Sequence, residues 1–198
     1  VKQCGIHVPT FHNDPWEAGS WNGLTELYAF DSYPIKMLSP ETRIPLKPWK
    51  LTEFDKRTRA VEETISGFGP PAAQTPIFIA ELQGGWYNQW GTPYGFDELY
   101  DWYGPRYQRM LVESMAAQRT TIAVLYMFYG GTNWGGLLNP EVYTSYDYGA
   151  CIREYGFISN RYRYLRRFAL FLQAFETQLA RTDRVEQPEL SISPNRMG

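Results

Sequence analysis

Short apolar runs rich in β-branched and aromatic residues alternate along the chain with longer stretches in which apolar positions recur every three or four residues. The first kind reads as strand and the second as amphipathic helix. Strands are expected at Ile6–Phe11, Leu27–Asp31, Ile77–Leu82 and Ile122–Phe128, each running into polar or glycine-rich sequence. Helices are expected at about Asp55–Ile65, Arg106–Gln118 and Arg161–Leu179, with Phe168, Leu172, Phe175 and Leu179 showing the clearest helical spacing. Gly67, Gly69, Pro70 and Pro71 stop the first helix, and Gly104-Pro105 opens the second. The alternation predicts an α/β fold, a parallel sheet covered by helices. Pro34–Lys50, with four prolines, reads as a long loop leaving the second strand, either a surface crossover or a functional loop. Residues 1–185 are expected to form the folded part, and 186–198 an exit segment leading to a further domain.

Composition narrows the class. The 198 residues suffice for one domain with a sizeable core. Nineteen basic against twenty-one acidic residues give a formal charge of -2, so no field of one sign gathers a polyanion, and nucleic acid is not an expected partner. With 43% hydrophobic and 20% charged residues the chain is not of disordered type, and no apolar run approaches the ~20 residues of a membrane span. Aromatic residues make up 17%, enough to fill a core and still line a site that stacks on a ring-shaped ligand. Cys4 and Cys151 form neither a disulfide framework nor a metal-ligand spacing. Val1–Pro9 lacks the basic-then-apolar pattern of a signal peptide, and the chain reads as cut from something longer.

In a parallel sheet, ligands meet the carboxyl ends of the strands. The residues there are His12-Asn13-Asp14, Asp31-Ser32-Tyr33, Glu81, and Tyr126 to Asn133. Glu81 follows the apolar run Pro76-Ile77-Phe78-Ile79-Ala80 and precedes Gly84-Gly85-Trp86, and a carboxylate there is costly unless a cleft solvates it or donors hold it. The glycine-rich stretch Gly130 to Gly136 has neither GxGxxG nor GxxxxGK[ST] spacing, which argues against a phosphate cradle. Trp, Tyr, Asn and Glu around it suit a sugar, whose apolar face stacks on rings while its hydroxyls need partners; packing under a loop would use the same rings. His7 and His12, five apart on one strand, face opposite ways and are not expected to share a metal. No GxSxG elbow supports a serine nucleophile. Arg161, Arg163, Arg166 and Arg167 read as a solvated helix face.

PIFIAELQGGWYNQWG (Pro76 to Gly91), LYMFYGGTNWG (Leu125 to Gly135) and YTSYDYGA (Tyr143 to Ala150) together resemble the β-galactosidases of glycoside hydrolase family 35, in order and in spacing. FDSYP (Phe30 to Pro34) is similar to the end of that family's sixth strand and GIHVPTFHND (Gly5 to Asp14) to its fifth, so the resemblance runs from Gly5 to about Phe175 and is nearest to fungal and bacterial members. It implies a (β/α)₈ TIM barrel, of which this chain carries roughly strands 5–8 with their helices. It also implies a retaining enzyme that releases terminal β-D-galactose, with Glu81 as nucleophile and with Tyr33, Tyr126, Tyr146 and Tyr148 holding galactose or orienting the nucleophile.

Retaining hydrolysis uses two carboxyl groups about 5–5.5 Å apart, one that attacks and one that protonates the leaving oxygen. The family's acid/base sits in an Asn-Glu pair, and no such pair occurs in this chain. Leu82 stands where the family usually has Phe, and Gln83 where animal members have Tyr, which leaves the nucleophile's neighbours open. Half a barrel would expose parallel edges and an apolar interior, so a second chain, a second copy or an upstream segment is expected to complete it, unless the chain is a truncated product. A galactoside-binding fragment without turnover, or a related retaining enzyme for another sugar, are the rival readings. No cofactor or metal is implied, because glycosyl transfer to a carboxylate needs none. By family analogy the setting is secreted or lysosomal/vacuolar.

Overall fold

The computed structural model describes residues 1–15, 18–33, 61–86, 88, 95–138 and 142–182. The chain forms two compact units, Val1–Leu165 and Arg166–Gly198. In the first, three strands form a parallel sheet in the order β1 (Ala29–Ser32), β2 (Ile77–Gln83), β3 (Thr120–Tyr126). β2 is apolar from Ile77 to Ala80, and the residues of β1 and β2 are buried or half-buried throughout, the covering that parallel strands need. Phe30, Ile79 and Leu82 are wholly buried, with Tyr28 beside them. β3 is different, since Val124 is half exposed and no strand pairs with its far side among the described residues.

A helical stretch over residues 61–67, α1, buries Val61 and Ile65. Between β2 and β3 run α2 (Phe96–Tyr103) and α3 (Pro105–Ala117). Glu98 accepts a hydrogen bond from the Gly95 N–H at 2.8 Å, and with Asp97 it places negative charge in the first turn of α2, where the helix dipole favours it. Pro105 sits at the start of α3, which buries Tyr107, Leu111, Val112 and Met115 at helical spacing. The final helix, α4, covers Asn160–Arg181 and crosses from the first unit into the second. In the second unit, Phe171 packs its ring 5.0 Å from Phe175 and 6.4 Å from Phe168.

Three of the four expected strands are present with ends shifted by no more than two residues. The first is not: Ile6–Phe11 forms no ladder, and pairing is limited to isolated parallel bridges, Phe11 with Leu27 and Asp14 with Phe30. Ile6, Val8 and Phe11 are each about half exposed or more, so this segment lacks the burial that stabilises a strand. α2 was not foreseen from periodicity. The expected helix at Asp55–Ile65 lies only partly within the described residues, while the Pro34–Lys50 loop and the 186–198 exit segment lie outside them. The reading of Arg161 as solvated is overturned. It is 3% exposed, donates to Gln108 Oε1 at 3.1 Å and lies over the Tyr100 ring, whereas Arg163, Arg166 and Arg167 are exposed as expected. Burial pulls the Arg161 guanidinium down to about 10, which leaves it charged at neutral pH.

Candidate active site

The carboxyl ends of the parallel strands bring Glu81, Tyr33, Tyr126 and Tyr146 together. Asp31 of β1 is in register with Glu81 of β2, and irregularities in both ladders flank this point, at Phe30/Asp31 and between Ile79 and Leu82. Such breaks in pairing re-aim side chains beside functional groups. Glu81 is half-buried and takes one donor on each oxygen: Tyr33 donates to Oε2 at 2.6 Å and Asn13 Nδ2 to Oε1 at 2.9 Å. Burial, with Tyr148 and the Glu81 carboxylate adding to it, pushes the Tyr33 phenol far above its ordinary value, so it keeps its proton and remains a donor.

The rings form a wall next to this carboxylate. Trp86 meets Tyr33 edge-on at 5.5 Å, and Tyr126 meets it at 6.3 Å. The Tyr126 and Tyr146 hydroxyls are 2.9 Å apart, one donating to the other. Tyr148 is 2% exposed and has a left-handed backbone conformation (φ 62°); its ring stacks on Tyr146 at 5.4 Å and stands edge-on to Tyr126 at 5.6 Å. It meets the cluster as a support under the other two rings.

Close backbone approach sets this wall. A Cβ on Gly85 would overlap the Tyr148 carbonyl oxygen, and one on Gly130 the Asp147 carbonyl oxygen. Trp86 N–H donates to Tyr148 O at 3.0 Å and Tyr146 N–H to Gly131 O at 2.7 Å, which lashes residues 146–148 to the exits of β2 and β3. Asp147, nearly buried, accepts from Arg153 Nε at 2.8 Å and from Gly149 N–H at 3.0 Å; Arg153 also pairs with Asp97. The glycine stretch therefore serves close packing at Gly130, while Trp134 beyond it is almost fully exposed.

A cavity of about 590 Å³ is lined by Phe96, Asp97, Ser145, Asp147, Arg153 and Glu154 among others. Glu81, half-buried at the end of β2, is not among the residues that line it. Among the described residues no group of three or more His, Cys, Asp or Glu side chains could hold a metal ion. Likewise, none of their helices is long and apolar enough to cross a membrane. His12 and Thr25 are 2.8 Å apart; Thr25 Oγ1 donates to Leu27 O at 2.9 Å, so His12 Nδ1 is the donor to Thr25. Asn13 is the site residue to which sequence reasoning gave no role. Its signal was its place at a strand end, but nothing local says that its amide reaches a residue 68 positions away.

A parallel sheet between helices thus carries a doubly held carboxylate and an aromatic wall at its strand ends. The family model for glycosyl hydrolases family 35 matches residues 20–171, and the chain belongs to that family. Among curated relatives, a probable beta-galactosidase B of Sclerotinia sclerotiorum is 33% identical over 98% of this chain and 19% of its own length. A probable beta-galactosidase B of Aspergillus terreus is 32% identical over 93% of this chain and 18% of its own. A probable beta-galactosidase C of Aspergillus niger is 30% identical over 77% and 15%. The chain thus spans about 15 to 20% of the length of the relatives it matches.

Proposed function

We propose that this chain is the nucleophile half of a retaining β-galactosidase, with Glu81 as the attacking carboxylate. The observation that carries the reading is the Glu81 carboxylate at a parallel strand end, with Asn13 on one oxygen and Tyr33 on the other. In the first step a Glu81 oxygen bonds to the anomeric carbon of galactose while the bond to the leaving oxygen breaks. That oxygen takes a proton from an acid supplied from outside this chain. In the second step water attacks the same carbon, gives its proton to that residue, now a base, and frees Glu81 as carboxylate. The Tyr33 phenol, kept protonated by burial, holds the carboxylate in place through both steps, and Tyr126, Tyr146 and Trp86 form the wall against which the sugar lies.

In this reading the bridge-forming segment around Phe11 to Asp14, β1, β2 and β3 correspond to strands 5–8 of a (β/α)₈ barrel. Two observations support that order: the parallel arrangement of the strands, and the far side of β3, which no strand among the described residues pairs with and where a first strand would close a barrel. The complementary strands and the acid come from an upstream segment or a second chain.

The test uses 2,4-dinitrophenyl 2-deoxy-2-fluoro-β-galactoside, whose leaving group needs no proton, on the protein in its full natural length. Labelling of the peptide containing Glu81, seen by mass spectrometry, and a loss of turnover of ~10³-fold or more in Glu81→Gln are expected. A label on another carboxylate, or near-normal turnover in Glu81→Gln, overturns the assignment.

A further inference from the structure

We infer that Asn13 is a positioning residue for the nucleophile, the second arm of a two-donor clamp whose first arm is Tyr33. This rests on the assignment of Glu81 above. A carboxylate only accepts hydrogen bonds, so the amide must turn its NH₂ end to Glu81, and its carbonyl end then points away. That carbonyl oxygen, Oδ1, is buried and has no hydrogen-bond partner among the described residues. An asparagine kept for packing or for capping a turn satisfies both ends of its amide. Asn13 satisfies only the end that faces the carboxylate, at the expense of a desolvated oxygen, so its placement follows Glu81 rather than the stability of its own segment.

The neighbouring residue explains how the arm is held steady. Asp14 is wholly buried and its backbone bridges β1 on both sides, with Asp14 N–H donating to Ala29 O at 2.9 Å and Asp31 N–H to Asp14 O at 3.0 Å. Its side-chain Oδ2 accepts from Ser20 N–H at 2.8 Å and from the Tyr28 hydroxyl at 2.9 Å. The backbone next to Asn13 is therefore fixed even though the segment before it forms no strand. Tyr33 and Asn13 reach different oxygens of Glu81 from different segments, and two such donors fix the rotation of the carboxylate about its last torsion, which a single donor leaves broad. An attacking oxygen held in one orientation meets the anomeric carbon without a search over rotamers.

The experiment compares wild type, Asn13→Ala, Asn13→Asp and Glu81→Gln in the protein at full natural length. Hydrolysis of 2,4-dinitrophenyl β-galactoside reports attack by Glu81, and inhibition by galactose reports ground-state binding. Asn13→Ala is expected to lower kcat/KM by about 10- to 100-fold, the size of one hydrogen bond to a charged group, with the galactose inhibition constant moved by no more than about threefold. Asn13→Asp keeps the volume of the side chain and sets a second negative charge against Glu81, so it loses at least as much and stands in should the alanine variant fail to fold. Wild-type kcat/KM in both variants, or a loss that lies entirely in galactose binding, overturns the role of Asn13. An inactive Glu81→Gln beside near-normal Asn13 variants sinks this inference alone, whereas an active Glu81→Gln sinks the nucleophile assignment itself.

Discussion

Gly84 leaves β2 at the point where the strand passes closest to the exit of β3, and alanine there tests how tightly the site wall is built. A Cβ on Gly84 would lie 2.6 Å from the Met127 carbonyl oxygen and 3.2 Å from the Met127 nitrogen and Tyr126 carbonyl carbon. All three are backbone atoms, so no side chain can turn aside, and the two strand exits must separate by about half an ångström or more to reach ordinary contact. That movement strains the 2.7 Å bond from Gly84 N–H to Tyr126 O. Overpacking of this kind costs about 1–3 kcal/mol and a weakened backbone hydrogen bond about 1 kcal/mol more, giving a loss of roughly 2–4 kcal/mol. Because Tyr126 moves with the strand exit, its hydroxyl contact to Tyr146 is disturbed as well. The assay is urea unfolding of wild type and Gly84→Ala, followed by tryptophan fluorescence and residual activity. Gly67→Ala serves as control, since Gly67 ends α1 with nothing within 4 Å of its missing Cβ, and alanine there is expected to be neutral or to stabilise by up to about 1 kcal/mol. A Gly84→Ala midpoint equal to that of Gly67→Ala would refute the close-approach argument.

Tyr33→Phe removes the 2.6 Å donor to Glu81 and is expected to lower kcat/KM for aryl galactosides about 10- to 100-fold while the protein melts normally; an unchanged rate would show that the bond does not act in the reaction. Arg153→Met frees Asp147 from its 2.8 Å ion pair. With residues 146–148 loosened, a drop in kcat/KM of about tenfold is expected, and wild-type kinetics would show that the glycine contacts hold the loop alone. Under native conditions a thiol reagent is expected to modify exposed Cys4 and spare Cys151, and to modify both after denaturation; rapid native labelling of Cys151 would contradict its burial. Burial pushes the Cys151 thiol up to about 11, against an ordinary value of 9.0, so the native state holds this proton more tightly than the unfolded chain. Its contribution is fully present below about pH 9 and lost as pH rises through about 11, and Cys151→Ala should flatten the alkaline fall in melting temperature.

Much of this arrangement was legible in the chain because it depends on local composition. The runs around β1, β2 and β3 are short and rich in apolar, β-branched or aromatic residues, and α3 has its proline start and its apolar stripe, so pattern alone placed them to within a few residues. Glu81 stood out because a carboxylate at the end of such a run needs a cleft or donors, and the family resemblance gave it the part of nucleophile. Arg161 was misread for the opposite reason. Charge in a sequence reads as exposure, and only the fold brought Gln108 and Tyr100 to a guanidinium that helical position alone would send outward.

What the sequence by itself determined is therefore the parallel α/β frame, the tyrosines of the 143–150 segment, and the carboxylate around which they would gather. Periodicity and motif spacing are short-range properties that survive without coordinates. The resemblance offered Tyr33 among several tyrosines that could orient that carboxylate; tertiary structure decided that Tyr33 does so together with Asn13, to which the sequence gave no role. Tyr33 is 48 positions from Glu81 and Asn13 is 68, and both contacts exist because parallel pairing aligns the ends of separate strands and brief bridges pin Asp14 beside β1. Long-range register, set by burial on both faces of the sheet and by glycines that let backbones meet, converts a pattern of residues into a site.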